Sequence, residues 1–232
     1  MTDQTAPTTA AGEPATARGE QTRRLILDTA MRLFRERGYA QTTMRAIAQE
    51  AGVAVGNAYY YFGSKDHLIQ EFYALSQLEH RAAARPVLDR ETDFATRLAG
   101  VLHAGVDVLT PSHDFAASFF KTAAEPTSPL SPFSAESSRP RHAAIGLFAE
   151  VLDGSTAKVD PELRPQLPEL LWLAYMGVVL YWVHDRSPGQ TRTRQLIDGA
   201  VPLIDRLVAL SRLRVLRPVT RQVLDLVRTL RH

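Results

Sequence analysis

An all-α chain is predicted from three observations. Apolar residues recur at three- and four-residue spacings from about residue 21 onward, and no segment sustains strand alternation. Glycines, prolines and hydroxyl side chains also fall where helices would start and stop. A length of 232 residues admits a small domain fused to a larger one. With 45% hydrophobic and 22% charged residues, the composition is that of a folded protein. No internal repeat is visible.

The first twenty residues, MTDQTAPTTAAGEPATARGE, are rich in Thr, Ala, Pro and Gly and lack the basic start and apolar run of a secretory signal. Residues 1–19 therefore read as a disordered arm. Leu25, Ile26, Thr29, Ala30, Leu33 and Phe34 then trace one face of a helix over 21–37. Arg35 and Arg37 suit its last turn, and Gly38 is placed as a left-handed stop. Thr43 is the predicted N-cap of a helix from Met44 to Ala51, although Ala46 leaves the capping box incomplete. AGVAVG leads into a short helix over about 56–62. FGSKD breaks that helix, and Ser64 caps a long one from about 65 to 85, with Pro86 compatible with its end.

Phe94, Leu98, Val101, Leu102 and Val108 belong to the next helix, and Phe115, Phe119 and Phe120 to another. Residues 125–140, EPTSPLSPFSAESSRP, hold four prolines and five serines and read as a flexible connection. Helices are expected again at 141–153, 166–184, 191–211 and 219–230, with Pro202 kinking or splitting the third of these. The longest apolar run, LLWLAYMGVVLYWV from Leu170 to Val183, would rise only ~21 Å as a helix, short of the roughly 30 Å hydrocarbon core. A buried or subunit-interface helix is the expectation, and no membrane partner.

The composition excludes several chemistries. Without cysteine there is no disulfide, zinc–thiolate site or cysteine nucleophile, which suits a reducing cytoplasm. The seven histidines include no i, i+4 pair, so no metal or other cofactor is expected. Ser118 and Lys121 spell S-x-x-K without its companion motifs, and His184–Asp185 reads as a helix-end partner; no catalytic residues are expected, and the chain is not read as an enzyme. Charge is uneven beneath the net +2. Residues 18–67 hold eight basic side chains against five acids, and 186–232 hold ten arginines against three acids. Both ends are candidate surfaces for a polyanion, the plainer reading of the second being a solvated basic surface.

VGNAYYYFGSK, residues 55–65, sets three tyrosines in a row. At about 100° per residue these cannot share one buried face. With Asn57 at zero, Ala58 and Phe62 lie near ~100° and ~140° and make the inward arc, while Tyr60 points the opposite way near ~300°. Two short helices joined by a Gly-containing turn form a helix-turn-helix, whose second helix can enter the major groove of DNA.

TTMRAIAQEAGVAVGNAYYYFGSKDHL, residues 42–68, resembles the DNA-binding signature of the tetracycline-repressor (TetR) family of bacterial transcriptional regulators. It has that family's TT-hydrophobic entry, IA-x-x-AGV turn, G-x-x-Y-x-YF recognition helix and K-x-x-L start to the fourth helix. The resemblance implies a helix-turn-helix DNA-binding domain over 20–66 and a larger helical ligand-binding and dimerisation domain over 67–232. It places Val55, Gly56, Asn57, Tyr59, Tyr60 and Arg45 at the groove, and Thr43, Tyr61 and Lys65 on the backbone. Val55 and Gly56 offer no polar side chain, which leaves room for shape or water-mediated reading.

The same resemblance implies an effector pocket, for which the aromatic stripes supply Phe72, Phe115, Phe119, Phe120, Phe148, Trp172 and Tyr175, with His103 as a polar handle. It also implies a homodimer built on the last two strongly apolar helices, with Tyr175, Val178, Val179, Trp182 and Leu203 as contacts. The expected protein is a cytoplasmic, ligand-responsive regulator, a repressor by preference, binding a double-stranded palindromic operator and released by a small apolar or amphipathic effector. The alternatives are a DNA-binding regulator governed by a protein partner, or one without any effector.

Overall fold

The computed structural model describes residues 15–212 together with Gln222. These residues divide into two compact units between Leu68 and Ile69. No strand occurs among them, so the fold is all-α.

The first unit is built from α1 (Ala15–Arg37), α2 (Met44–Glu50), α3 (Val55–Tyr61) and the first turn of α4 (Lys65–Arg90). α1 begins before the expected residue 21: residues 15–19 of the anticipated arm are helical, and the Thr22 hydroxyl donates to the Arg18 carbonyl at 2.9 Å. Residues 1–14 lie outside the described residues. Gly38, at φ +81°, ends α1 with its amide donating to the Phe34 carbonyl. Ile26, Ala30, Leu33 and Phe34 are buried with Ile47 and Ala48 of α2 and Ala58 of α3. Thr43 caps α2 by accepting from the Ala46 amide at 3.1 Å, and Ser64 caps α4 by accepting from His67.

The second unit comprises the rest of α4 with α5 (Phe94–Leu109), α6 (His113–Ala123), α7 (Ser138–Asp153), α8 (Leu167–His184) and α9 (Thr191–Leu210). Its core joins Leu98 and Val101 of α5, Leu147 and Val151 of α7, Leu171 and Val178 of α8, and Ile197 and Val201 of α9. Two prolines did not stop helices as expected. α4 continues past Pro86 because Leu88 is buried and Val87 packs on Gly100, and the Arg90 Nε donates to the Pro86 carbonyl. α9 is not split at Pro202. The helix expected over 219–230 lies outside the described residues, Gln222 excepted.

Residues 125–137 are not the loose connection anticipated. They form successive turns pinned to α4 and α7: Tyr73 donates to the Leu130 carbonyl at 3.0 Å, Gln70 to the Pro129 carbonyl at 2.8 Å, and Arg141 to the Pro132 and Ser134 carbonyls. Leu130 and Ser137 are fully buried. The many prolines and serines supply turn geometry here, since serine hydroxyls close the turns on nearby amides. α8 is, by length and composition, the one helix among the described residues apolar enough to cross a membrane. It packs instead as a core helix, with Leu171, Trp172, Tyr175, Val178, Trp182 and Val183 buried within its own chain.

Candidate functional site

In the first unit the sequence anchors α3 by little. Seven residues are far below the roughly 12–15 at which an isolated helix becomes even marginal. Ala58 and Phe62 are its inward side chains, at 0% and 2% exposure, and Arg23 of α1 lies over the Phe62 ring at 5.0 Å. Everything else faces out: Tyr60 is 83% exposed, Tyr59 51%, and Val55, Gly56 and Asn57 are exposed. Tyr61 is half-buried, with the Tyr60 ring edge-on to it at 5.2 Å. Arg45 and Thr43 are also exposed, at the start of α2.

The turn between α2 and α3 is set by Gly52 at φ +66°, a conformation glycine adopts without strain, and by the Val53 amide donating back to the Ala48 carbonyl. Gly56 differs. Its φ is ordinary, and a Cβ built there meets nothing within 4 Å. Lys65 is less free than expected of a phosphate ligand: its Nζ donates to the Tyr39 carbonyl at 2.8 Å and lies 4.4 Å over the Tyr39 ring. Burial of the ammonium lowers its pKa, which Asp66 opposes. Tyr39 in turn donates to the Asp66 carboxylate. Two of the three ammonium donors stay available. Sequence reasoning missed Thr42, which is buried with its hydroxyl 2.9 Å from the Gly38 carbonyl and positions the entry to α2.

The second unit contains a cavity of about 510 Å³ bounded by α4, α5, α6, α7, α8 and the 131–133 turn. Six of the eight expected pocket residues are on its wall: Phe72, Phe115, Phe119, Phe120, Trp172 and Tyr175. Phe115 stacks on Phe119 at 5.1 Å, and Phe133 covers Trp172 edge-on at 5.3 Å. Two are not on it. Phe148 is buried in the core behind Tyr175. His103 turns to α9, its Nε2 2.8 Å from the Asp198 carboxylate. The wall also holds Tyr73, Ser76, Gln77 and Arg141, which were not anticipated. Ser76 follows Phe72 by one helical turn, so the 3.6-residue period of α4 contained that much. Gln77 Oε1 and Trp182 Nε1 have no hydrogen-bond partner, and each such buried group costs about 1–3 kcal/mol.

Three of the five expected dimer contacts, Tyr175, Val178 and Trp182, are buried in the chain's own core, and Val179 lines the cavity. Leu203 alone is exposed. The outer apolar stripe consists instead of Leu173, Leu180 and Tyr181 on α8 and Leu196, Leu203, Leu207 and Leu210 on α9.

Two family models match the chain: "Tetracyclin repressor-like, C-terminal domain" over residues 97–230, more than half of it, and "Bacterial regulatory proteins, tetR family" over 26–72. Among curated proteins, an uncharacterised HTH-type transcriptional regulator of Mycobacterium tuberculosis is 48% identical over 56 residues, 24% of this chain and 26% of that protein. The HTH-type transcriptional repressor KstR2 of Mycobacterium tuberculosis is 31% identical over 103 residues, 44% and 49% of the two chains. The chain thus spans about a quarter to a half of the length of these relatives. A putative TetR-family regulator from Syntrophomonas wolfei superimposes with a TM-score of 0.64 at 15% identity, covering 80% of this chain and 95% of the other. FadR of Thermus thermophilus, a TetR-family repressor in complex with lauroyl-CoA, does so at 0.56 and 20% identity, covering 77% and 92%. At such identities the likeness concerns the fold.

Proposed function

Given that the chain belongs to the tetracycline-repressor family of bacterial transcriptional regulators, we propose that it is a ligand-responsive repressor that binds a palindromic operator as a homodimer in the cytoplasm. The observation that carries this reading is the outward face of α3, where Tyr60 is 83% exposed on a helix anchored only by Ala58 and Phe62. Asn57, Tyr59 and Tyr60 read the groove with Arg45. Thr43, Tyr61 and the remaining donors of Lys65 contact backbone phosphates. Val55 and Gly56 bring main chain close to the bases.

The cavity in the second unit supports control by a small apolar or amphipathic effector over control by a protein partner, which would leave that core filled. Such a ligand releases DNA only by binding the DNA-incompetent state more tightly, and by no more than that difference in affinity. The test is selection of bound fragments from a random DNA pool, repeated with candidate ligands. A palindromic consensus lost on ligand addition is the expected result. Fragments without symmetry, or no enrichment in dilute buffer, would refute the reading.

A further inference from the structure

Arg141, in the first turn of α7, is the one side chain carrying a full charge on the cavity wall among the described residues. A guanidinium has five N–H donors. Its Nη1 donates to the Pro132 and Ser134 carbonyls, each at 2.9 Å, which holds it against the turn that borders the cavity. No carboxylate pairs with it among the described residues, and the first turn of α7 contains no acid. The remaining wall is aromatic, aliphatic or neutral and polar, and burial pushes the phenols of Tyr73 and Tyr175 up, so both stay neutral.

A cation beside an apolar void, with donors left over and no counter-charge, favours an anionic occupant. Bonds from a guanidinium to a carboxylate are about twice as strong as neutral ones, and an ammonium placed there would meet repulsion and no acceptor of opposite charge. The charge count also limits the anion. A phosphate monoester carries about −1.5 to −2 near neutral pH and would leave part of its charge unmatched by a single arginine. Resting on the reading of this cavity as the effector site, we propose that its ligand is an amphipathic monocarboxylate. Its carboxylate pairs with Arg141, and its apolar body lies among Phe115, Phe119 and Trp172.

The chain has two tryptophans, Trp172 and Trp182, and both are on the cavity wall, so intrinsic fluorescence reports occupancy directly. Dodecanoate, 1-dodecanol, dodecylammonium and dodecyl phosphate, kept below their micelle concentrations, are titrated against the full-length chain without DNA. Dodecanoate is expected to bind at least about tenfold more tightly than the other three. Arg141→Gln should remove the advantage of dodecanoate over dodecanol while dodecanol binding persists, which also shows that the variant is folded. Equal binding of the ammonium or tighter binding of the phosphate overturns the proposal, as does an unchanged ratio in Arg141→Gln or the absence of binding by all four. Operator release is measured on the same samples. Arg141-dependent binding that leaves DNA bound would sink the effector reading, while the pairing of Arg141 with a carboxylate in this cavity would stand.

Discussion

Gly56 is a residue whose presence the fold does not account for. Gly38 and Gly52 occupy positive φ, where a side chain would be strained, but Gly56 has an ordinary φ and open space where a Cβ would go. Alanine there should stabilise the chain by ~0.5 kcal/mol, because it costs less backbone entropy in a helix. It should also weaken operator binding at least about tenfold if the main chain approaches the bases closely. Thermal melts and a mobility-shift titration measure both; a variant that binds as tightly as the parent removes Gly56 from the interface. His80 makes a second prediction. It is 2% exposed, its Nε2 is 2.7 Å from the Val101 carbonyl, and its Nδ1 has no partner, so the neutral ring with the proton on Nε2 fits and the imidazolium does not. Burial lowers its pKa, outweighing the Val101 bond that raises it. The folded chain therefore binds fewer protons here than the unfolded chain does. Its stabilising contribution is present above about pH 6.5 and lost as pH falls further. Melting temperature should drop from pH 7 to 5 by less in His80→Gln than in the parent, and parallel curves would refute this.

At the scale of elements, the second unit is stapled by Arg97. Its buried guanidinium donates to the carbonyls of Leu88 and Glu91 at the end of α4 and of Glu150 and Val151 near the end of α7, at 2.6–2.9 Å. No carboxylate is needed, because the negative ends of two helices supply the counter-charge. Arg97→Met should cost about 3 kcal/mol by orphaning those carbonyls, roughly 2–4 °C of melting temperature for each kcal/mol. A loss under 2 °C would refute the staple. Gly154 belongs to the same device, since a Cβ there would collide with Arg97 Nη2. Arg97 was not legible in the sequence, where an arginine on a helix reads as solvated. Local signals were legible: Thr43, Gly38, Gly52 and Ser64 act where their chemistry placed them. The ordering of 125–137 was not, because it depends on bonds to Gln70, Tyr73 and Arg141 that no local window contains. The inward face of α8 was misjudged for another reason. That helix is apolar all round, so no polar side sets its phase, and Tyr175 and Trp182 turned inward while Leu180 and Tyr181 faced out.

Among the described residues, α8 and α9 leave a large apolar surface exposed. Leu173, Leu180 and Tyr181 on α8, with Leu196, Leu203, Leu207 and Leu210 on α9, are each more than a third exposed, and Leu207 is 68% exposed. On α9 the leucines recur at seven-, four- and three-residue intervals, one stripe of a helix whose opposite side buries Ile197 and Val201. Gly177 on α8 and Gly199 on α9 have open space where a Cβ would stand, which lets another backbone approach. A patch of this kind on a soluble monomer is an interaction surface, and a second copy of the same stripe would satisfy it by two-fold symmetry. Because Leu203 and Leu207 are 58% and 68% exposed, Leu203→Glu combined with Leu207→Glu should leave helical content unchanged. If two copies pair through this stripe as proposed, light scattering should then give the mass of one chain instead of two. Operator affinity should fall by several orders of magnitude, since one reading head meets one half-site, while binding to an isolated half-site is retained. Tyr175→Glu, placed on the inner face, should unfold the unit instead. A double variant that remains dimeric would mean that the two copies meet elsewhere, and the stripe would need another partner.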